Sequence, residues 1–138
     1  MATKHSIEEG SDFIPKFDSK GLLTAIAQDA ETGQILMVAY MNREALDLTI
    51  QTGCATYFSR SRQALWKKGQ DSGHIQKVQQ ILVDCDQDCL VLKVTVEAGQ
   101  CHVGYQSCFY RALKQESSEP KKLQFIAEKV YDPKEAYK

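Results

Sequence analysis

The two strongest strand patterns in the chain are joined by a stretch of acids and thiols. Residues 74–84 (HIQKVQQILVD) and 90–98 (LVLKVTVEA) are rich in β-branched and aliphatic side chains, which favour strands. Asp84, the last residue of the first pattern, and the connection that follows it (85–89) together have the sequence DCDQDC. The two patterns predict a sheet, whereas folding alone gives no reason to place three carboxylates and two sulfurs between them.

The rest of the chain predicts a small, strand-rich α+β domain. Residues 21–30 and 34–41 are apolar runs separated by the turn signal ETG, which predicts a hairpin. Residues 61–73 predict a short helix or turn that leads into a glycine-punctuated loop. Further strands are expected over residues 55–60 and 123–131.

One helix is predicted over residues 41–53. Asn42 is a suitable N-cap because its side chain can accept a hydrogen bond from the first turn. Gly53 is a suitable C-terminal stop because glycine adopts the left-handed conformation without cost. The apolar stripe of this helix is expected to consist of Ala45, Leu46 and Ile50.

Length and composition fit one globular domain. A chain of 138 residues can bury roughly two-thirds of its unfolded surface. We divide it into a flexible N-terminal arm (1–15), a central domain (16–113) and a C-terminal extension with one strand (114–138). The hydrophobic fraction of 43% and the charged fraction of 25% are ordinary globular values.

Charge and hydropathy exclude several classes of partner. A net charge of −1 provides no basic field for nucleic acid and no polybasic face for a membrane. No apolar run approaches the ~20 residues that a membrane-spanning helix needs. The polar N-terminus lacks the apolar core of a signal peptide, so we expect a cytoplasmic location.

Four of the five cysteines fall within 24 residues of each other. In a reducing compartment a disulfide framework is not expected, and clustered cysteines indicate metal binding or catalysis. Cys54 and Cys89 are interpreted as small buried hydrophobes. The remaining three are Cys85, Cys101 and Cys108.

The acid–thiol stretch predicts two metals of different softness. If it is extended, Asp84, Asp86 and Asp88 share one face, about 6.6 Å apart, and Cys85 and Cys89 share the other. A hard divalent cation with oxygen ligands would relieve the repulsion between the acids, and a softer metal such as zinc suits thiolates. A solvated acidic turn is the alternative for an isolated match of this kind. An EF-hand loop is excluded, because cysteine replaces glycine at its sixth position and threonine replaces glutamate at its twelfth.

Three cysteines at C-x15-C-x6-C spacing differ from a structural zinc ribbon. Ribbons use paired C-x2-C ligands and close the coordination sphere with four protein atoms. Three ligands would leave a position open for water, as in catalytic zinc sites. His102 could be a fourth ligand, but it adjoins Cys101 in sequence, so we prefer it as a base.

Four segments together resemble phosphoribosyl-AMP cyclohydrolase, a family of histidine biosynthesis, over about residues 16–113. They are AYMNREAL (39–46), ATYFSRSRQALWKKGQDSGHIQKV (55–78), DCDQDCL (84–90) and CHVGYQSCFYR (101–111). Cys89 and Val103 depart from the family, which has alanine and threonine there, but neither is assigned to metal.

The resemblance implies a homodimer that shares its zinc site between chains. It implies zinc on Cys85, Cys101 and Cys108, and magnesium on Asp84, Asp86 and Asp88. Some relatives carry a fused pyrophosphohydrolase domain. Only 27 residues follow Arg111, so we expect one activity.

The implied reaction opens the adenine ring of 1-(5-phosphoribosyl)-AMP. A zinc-bound hydroxide attacks C6, and the bond between N1 and C6 breaks. Three thiolates make zinc a weaker acid than three histidines do, so a neighbouring base would help. We expect His102 in that role first and His74 second.

Two phosphate groups on the substrate need cationic or N–H partners. The candidates are Arg60, Arg62, Lys68, Ser72, Gly73 and Arg111, of which Ser72 and Gly73 belong to a loop that can offer backbone N–H groups. Trp66 could stack on the base, whereas Tyr57 is expected in the core.

Two rival readings are a non-catalytic zinc module and a thiol redox protein. The first needs four protein ligands, and a form that recognised nucleic acid would also need a basic face. The second would pair Cys85 with Cys89, but their C-x3-C spacing differs from the usual C-x-x-C.

Overall fold

A four-stranded mixed sheet is the centre of the fold in this computed structural model, which describes residues 3–70, 73–97, 99–116 and 119–136. In chain order the elements are α1 (Lys4–Glu9), β1 (Leu23–Asp29), β2 (Ile35–Met41), α2 (Arg43–Thr52), β3 (Thr56–Ser59), β4 (Ala64–Lys67), β5 (Lys77–Val83), β6 (Cys89–Thr95), β7 (Arg111–Leu113), β8 (Leu123–Phe125) and α3 (Pro133–Ala136). The strand-rich α+β character expected from the sequence is confirmed.

The sheet has the order β2-β1-β6-β5 and joins two antiparallel hairpins. The β1–β2 hairpin is the one predicted from residues 21–41, and β5 pairs with β6 in the other. The hairpins meet through a parallel pairing of β1 with β6, in which Thr24 lies opposite Cys89. The acid–thiol stretch is therefore the connection of the second hairpin, beside the start of β1.

Strict alternation in the two central strands creates the core. Every second residue of β1 and of β6 is buried, because successive side chains of a strand point to opposite faces. Buried side chains of α2, β2 and β3 belong to the same core cluster as those of β1 and β6. The largest fully buried apolar side chains are Leu23, Leu36, Met41, Leu46, Tyr57, Leu90, Leu92 and Val94.

Helix α2 begins and ends as predicted. The side-chain oxygen of Asn42 accepts a hydrogen bond from the N–H of Ala45 at 2.8 Å, and Gly53 adopts a left-handed φ of 74°. The predicted stripe is wrong at Ile50, which is 55% exposed. Thr49 faces inward instead, because its hydroxyl contacts the backbone N–H and C=O of Thr56 at 2.9 and 3.1 Å.

Other local predictions also need correction. Residues 64–67 form β4, which pairs with β3, rather than a helix or turn. The segment contains residues that favour helices, and it is too short for an alternating strand pattern to be recognised in the sequence. The last predicted strand is confined to Leu123–Phe125. The predicted arm contains α1, capped by Thr3. No described helix is long and apolar enough to cross a membrane.

Candidate metal and active site

The acid–thiol stretch is a tight turn, so the prediction of an extended segment is wrong. Gln87 has a φ of 59°, and its N–H donates to the carbonyl of Asp84 at 3.1 Å. One carboxylate oxygen of Asp84 accepts hydrogen bonds from the N–H groups of Asp88 and Cys89 at 3.0 and 3.1 Å. This side chain closes the turn, a common role of aspartate.

The turn gathers the three carboxylates that an alternating strand would have held further apart. One oxygen from each of Asp84, Asp86 and Asp88 lies within 4.8 Å of the other two, and all three residues are exposed. Hydrogen bonding to Asp86 and Asp84 and their charge raise the pKa of Asp88. Burial favours a higher pKa at Asp84, but hydrogen bonds from Cys89, Asp88 and Asp86 outweigh it and lower that pKa. Such a crowded carboxylate set suits a hard divalent cation.

Two of the three predicted thiol ligands are neighbours. Cys101 is buried and Cys108 is exposed, and the two side chains lie close enough for the Cys101 sulfur to affect the protonation of Cys108. Desolvation of the Cys108 sulfur and the adjacent Cys101 raise the pKa of Cys108 to about 12. Metal binding at this pair would therefore displace protons.

Cys85 does not join this pair within one chain. It is exposed in the acid–thiol turn. Among the described residues, the acidic trio is the only group of three or more metal-ligating side chains whose atoms lie within 4.8 Å of each other. Among the described residues of one chain, the three sulfurs therefore do not form a single group.

The thiol loop, residues 99–108, is anchored on β2 and closed on itself. The N–H of Cys108 donates to the carbonyl of Leu36 at 2.7 Å, and the N–H of Cys101 donates to that of Tyr105 at 3.0 Å. The hydroxyl of Ser107 donates to the carbonyl of Ile35 at 2.6 Å. These bonds fix the backbone on both sides of the two sulfurs.

The C-terminal extension covers the thiol loop. The N–H of Val130 donates to the carbonyl of Gly104 at 2.7 Å, and the hydroxyl of Tyr131 donates to the carbonyl of Cys101. Gly104 has a φ of 112°, and a Cβ there would lie 2.6 Å from the Tyr131 carbonyl oxygen. Only glycine fits at this crossing.

Lys68 is a buried cation beside the thiol pair. Its Nζ atom lies 5.9 Å from the centre of the Trp66 ring, and this ammonium donates a hydrogen bond to the carbonyl of Gln100 at 2.7 Å. Burial lowers the pKa of Lys68, whereas the charges of Cys108 and Cys101 raise it. A positive charge in this position favours the thiolate form of both cysteines.

A chain of buried polar side chains connects the β3–β4 hairpin to the thiol loop. The hydroxyl of Tyr57 donates to the side-chain oxygen of Gln76 at 2.6 Å. The amide nitrogen of Gln76 donates to the side-chain oxygen of Gln100 at 2.9 Å and to the sulfur of Met37 at 3.2 Å. Tyr57, Gln76 and Gln100 are all at most 1% exposed.

The two histidines proposed as bases differ in environment. His102 is exposed in the turn that begins at Cys101. His74 is half-buried, and its ring meets that of Tyr131 edge-on at 4.7 Å. Tyr131 donates a hydrogen bond to the Cys101 carbonyl, so its contact with His74 places that histidine beside the thiol loop, to which His102 itself belongs.

The predicted phosphate-binding residues are distributed over several elements. Arg60 lies 4.0 Å from the centre of the Tyr40 ring, and Arg62 is bonded to Ser59; both belong to the β3–β4 turn. Lys68 follows β4 at the opposite end of that hairpin, and Arg111 begins β7 over the Tyr110 ring. Gly73 is exposed, and Ser72 lies outside the described residues. The ring of Trp66 packs on that of Tyr57 at 5.2 Å.

Sequence reasoning missed several residues of the site. The side chains of Gln76, Gln87, Gln100 and Tyr131 have no periodicity or spacing that marks them. Gln100 could have been noticed because it precedes Cys101, but its side-chain partner is 24 positions away.

Carboxylates gathered in one turn are ligands that suit a hard divalent cation, and adjacent thiols are ligands that suit a softer metal. The comparisons with known proteins define the class further. Residues 37–110 match the family model described as phosphoribosyl-AMP cyclohydrolase. The chain therefore belongs to the phosphoribosyl-AMP cyclohydrolase family, hydrolases of the histidine pathway, as its motifs suggested.

Several curated relatives bear that name. The protein of Methanococcoides burtonii is 55% identical over 88% of this chain and 94% of its own length. Those of Nitrobacter winogradskyi and Methanothermobacter thermautotrophicus are 50% and 52% identical, over 95% and 91% of this chain and 91% and 89% of their own lengths.

Proposed function

We propose that this chain hydrolyses 1-(5-phosphoribosyl)-AMP, opening the adenine ring between N1 and C6 in histidine biosynthesis. Family membership and relatives at 50–55% identity support the reaction. The observation that most favours catalysis over a purely structural site is the placement of Cys101 and Cys108 beside buried Lys68. A structural site does not need a buried cation next to its ligands.

Zinc would be held by Cys101 and Cys108 together with Cys85 of a second copy. The first two already lie side by side, and thiolates are ligands that zinc prefers. When bound, zinc would act as a Lewis acid that activates the attacking water. Lys68 would offset the negative charge of the thiolates, which otherwise weakens that effect.

The exposed apolar surface supports a second copy as the partner. Within the described residues, β7 and β8 pair only with each other, and an isolated two-stranded ribbon is marginal in water. Leu113, Phe125 and the following Ile126 are 61–62% exposed. An isologous contact through this ribbon would cover these side chains.

Magnesium would be held by Asp84, Asp86 and Asp88. Their proximity and the raised pKa of Asp88 indicate repulsion that a divalent cation would relieve. Because Cys85 belongs to the same turn, ordering of this turn would also place the third sulfur. This turn would thus contribute ligands to both metals, all three carboxylates to magnesium and one sulfur to zinc.

Proton transfer would be performed by a histidine at the thiol loop. His102 is the first candidate because it is exposed next to Cys101, where it could accept a proton from the attacking water. His74 is the second, because Tyr131 links it to the same loop. If His102 is the base, His102→Ala removes the corresponding limb of the pH–rate profile and His74→Ala does not; the reverse result assigns the role to His74.

One substrate phosphate would be bound in the cleft at the β3–β4 turn. The cleft encloses about 310 Å³ and is lined by both Lys20 and Arg60, with Asn42 as a further donor. Arginine and lysine together can neutralise a phosphate dianion. Trp66, on the adjacent strand, would pack against the purine.

Incubation of the protein with phosphoribosyl-AMP tests this function directly. Ring opening changes the ultraviolet absorbance, and the wild-type protein should produce that change while containing about one zinc per chain. Cys101→Ser should lose both zinc and activity, whereas Cys54→Ser, a control far along the chain from the loop, should keep both. Tight zinc binding with no change in absorbance would instead favour a structural zinc module.

A further inference from the structure

We propose that Gln76 and Gln100 form a buried amide bridge that positions the thiol loop, so that both are positioning residues for metal binding at Cys101 and Cys108. This inference rests on the zinc site of the proposed function. It extends that site beyond its ligands to two glutamines in the core.

The amide of Gln76 is fully used. Its oxygen accepts from Tyr57, and its nitrogen donates to Gln100 and to the Met37 sulfur. Its backbone carbonyl accepts from the N–H of Ala55 at 3.0 Å. A side chain with this many directional contacts can adopt only one orientation.

Gln100 is held at three points, next to the ligand Cys101. Its side-chain oxygen accepts from Gln76, its carbonyl accepts from the ammonium of Lys68, and its N–H donates to the carbonyl of Gln106 at 3.0 Å. Through these contacts the first sulfur of the thiol loop is fixed relative to the β3–β4 hairpin, which carries Trp66 and precedes Lys68. The same bridge joins the segment that follows His74.

Stability alone does not require this arrangement. Replacing the three polar side chains together by apolar groups of similar shape should have little effect on folding, because the hydrogen bonds that join them to one another are removed as a set. The hydrogen bonds do, however, fix direction and register in a way that apolar contacts do not. Their position between the site segments therefore points to positioning of the metal ligands.

Titration of the metal-free protein with cobalt(II) tests the proposal. Cobalt–thiolate absorption reports the number and arrangement of sulfur ligands without requiring turnover. The variant Tyr57→Phe, Gln76→Met, Gln100→Met should melt within a few degrees of wild type but bind cobalt about tenfold or more weakly, with an altered charge-transfer band. Gln79→Met, which changes an exposed glutamine of β5, should bind as wild type does.

Wild-type affinity and spectrum in the triple variant would overturn the inference. Should the triple variant fail to fold, Gln100→Met alone decides in the same way, since Gln76 keeps its contact with Met37. Failure of the wild-type protein to bind cobalt through sulfur would instead overturn the proposed zinc site, and this inference with it.

Discussion

The backbone N–H of Ile14 donates a 2.6 Å hydrogen bond to the side-chain oxygen of Gln87. The same glutamine donates to the carbonyls of Ile7 and Asp12 at 2.9 and 3.3 Å, and its own carbonyl accepts from Lys16 at 2.7 Å. Gln87 is only 6% exposed. The N-terminal segment is thus attached to the acid–thiol turn through the side chain and the backbone carbonyl of one residue, Gln87.

Shortening this side chain should release the arm. Asparagine tolerates the left-handed backbone of Gln87 but is too short to reach Ile14, so Gln87→Asn should destabilise the fold by about 1–3 kcal/mol. Limited proteolysis should then cut residues 7–16 faster than in wild type. Gln80→Asn, an exposed change on β5, is the control, and equal cleavage of all three proteins would contradict the expectation.

Removing the buried ammonium should have opposite effects on metal-free stability and on zinc binding. Burial lowers the pKa of Lys68, so the folded chain binds this proton less tightly than the unfolded chain does. The resulting cost to folding is complete below the folded pKa and disappears as the pH rises toward the unfolded value of about 10.4. Metal-free Lys68→Met should therefore melt higher than wild type at neutral pH, with the difference narrowing as the pH increases.

The same variant should bind zinc about tenfold more weakly, a loss of about 1.4 kcal/mol. The reason is that the thiolates at Cys101 and Cys108 lose their neighbouring positive charge. Competition with a chromophoric chelator measures this loss. Lys67→Met is a matched control because Lys67 is adjacent in sequence but exposed; weakening of similar size in that control would point to a general charge effect.

The acidic trio and the thiols should be separable by mutation. Asp86→Asn with Asp88→Asn should weaken magnesium dependence, and binding of manganese as its probe, by about tenfold or more, because two of three oxygen donors lose their charge. Zinc content measured by elemental analysis should stay at the wild-type level. Asp47→Asn, on the surface of α2, is the control; loss of zinc in the double variant would mean that the turn is one common site.

A zinc site shared between copies predicts complementation. Cys85→Ser and Cys101→Ser should each lack zinc, but a mixed dimer retains one intact site, formed by Cys85 of the second variant with Cys101 and Cys108 of the first. Random assembly of equal amounts would restore about a quarter of wild-type zinc and activity. Mixing Cys101→Ser with Cys108→Ser should restore none. Full zinc in either single variant would exclude the shared site.

Local signals in the sequence predicted local structure well. The caps at Asn42 and Gly53 and the β1–β2 hairpin depend on residues close in the chain, and they formed as expected. The extended segment that would have held Asp84, Asp86 and Asp88 about 6.6 Å apart was wrong, because a turn closed by the side chain of Asp84 brings their oxygens within 4.8 Å of each other. In contrast, the Gln76–Gln100 contact joins residues 24 positions apart, which no short window of sequence contains. Strand β4 pairs locally with β3, but its four residues are too few for an alternating pattern to be recognised.

The separation of Cys85 from Cys101 and Cys108 was not predicted for the same reason, because it depends on how segments far apart in the sequence pack together. Spacing indicated which sulfurs belong together, and the resemblance to the family implied that a second chain would contribute to the same site. A single chain could not reveal by pattern that one ligand lies on a hairpin turn and the other two on a loop docked against β2. The residue types were predictable from pattern, but the distance between Cys85 and the other two sulfurs within one chain was not.

The parallel pairing at the centre of the sheet has a consequence for the order of folding. Thr24 and Cys89 are partners although 65 positions separate them, and such distant pairings form slowly because a long loop must close first. The β5–β6 hairpin is local, so during folding the carboxylates should gather before the thiol loop reaches β2. Pulse-labelled hydrogen exchange during refolding should accordingly protect β5 and β6 ahead of β1, so the proposed magnesium site would form before the proposed zinc site.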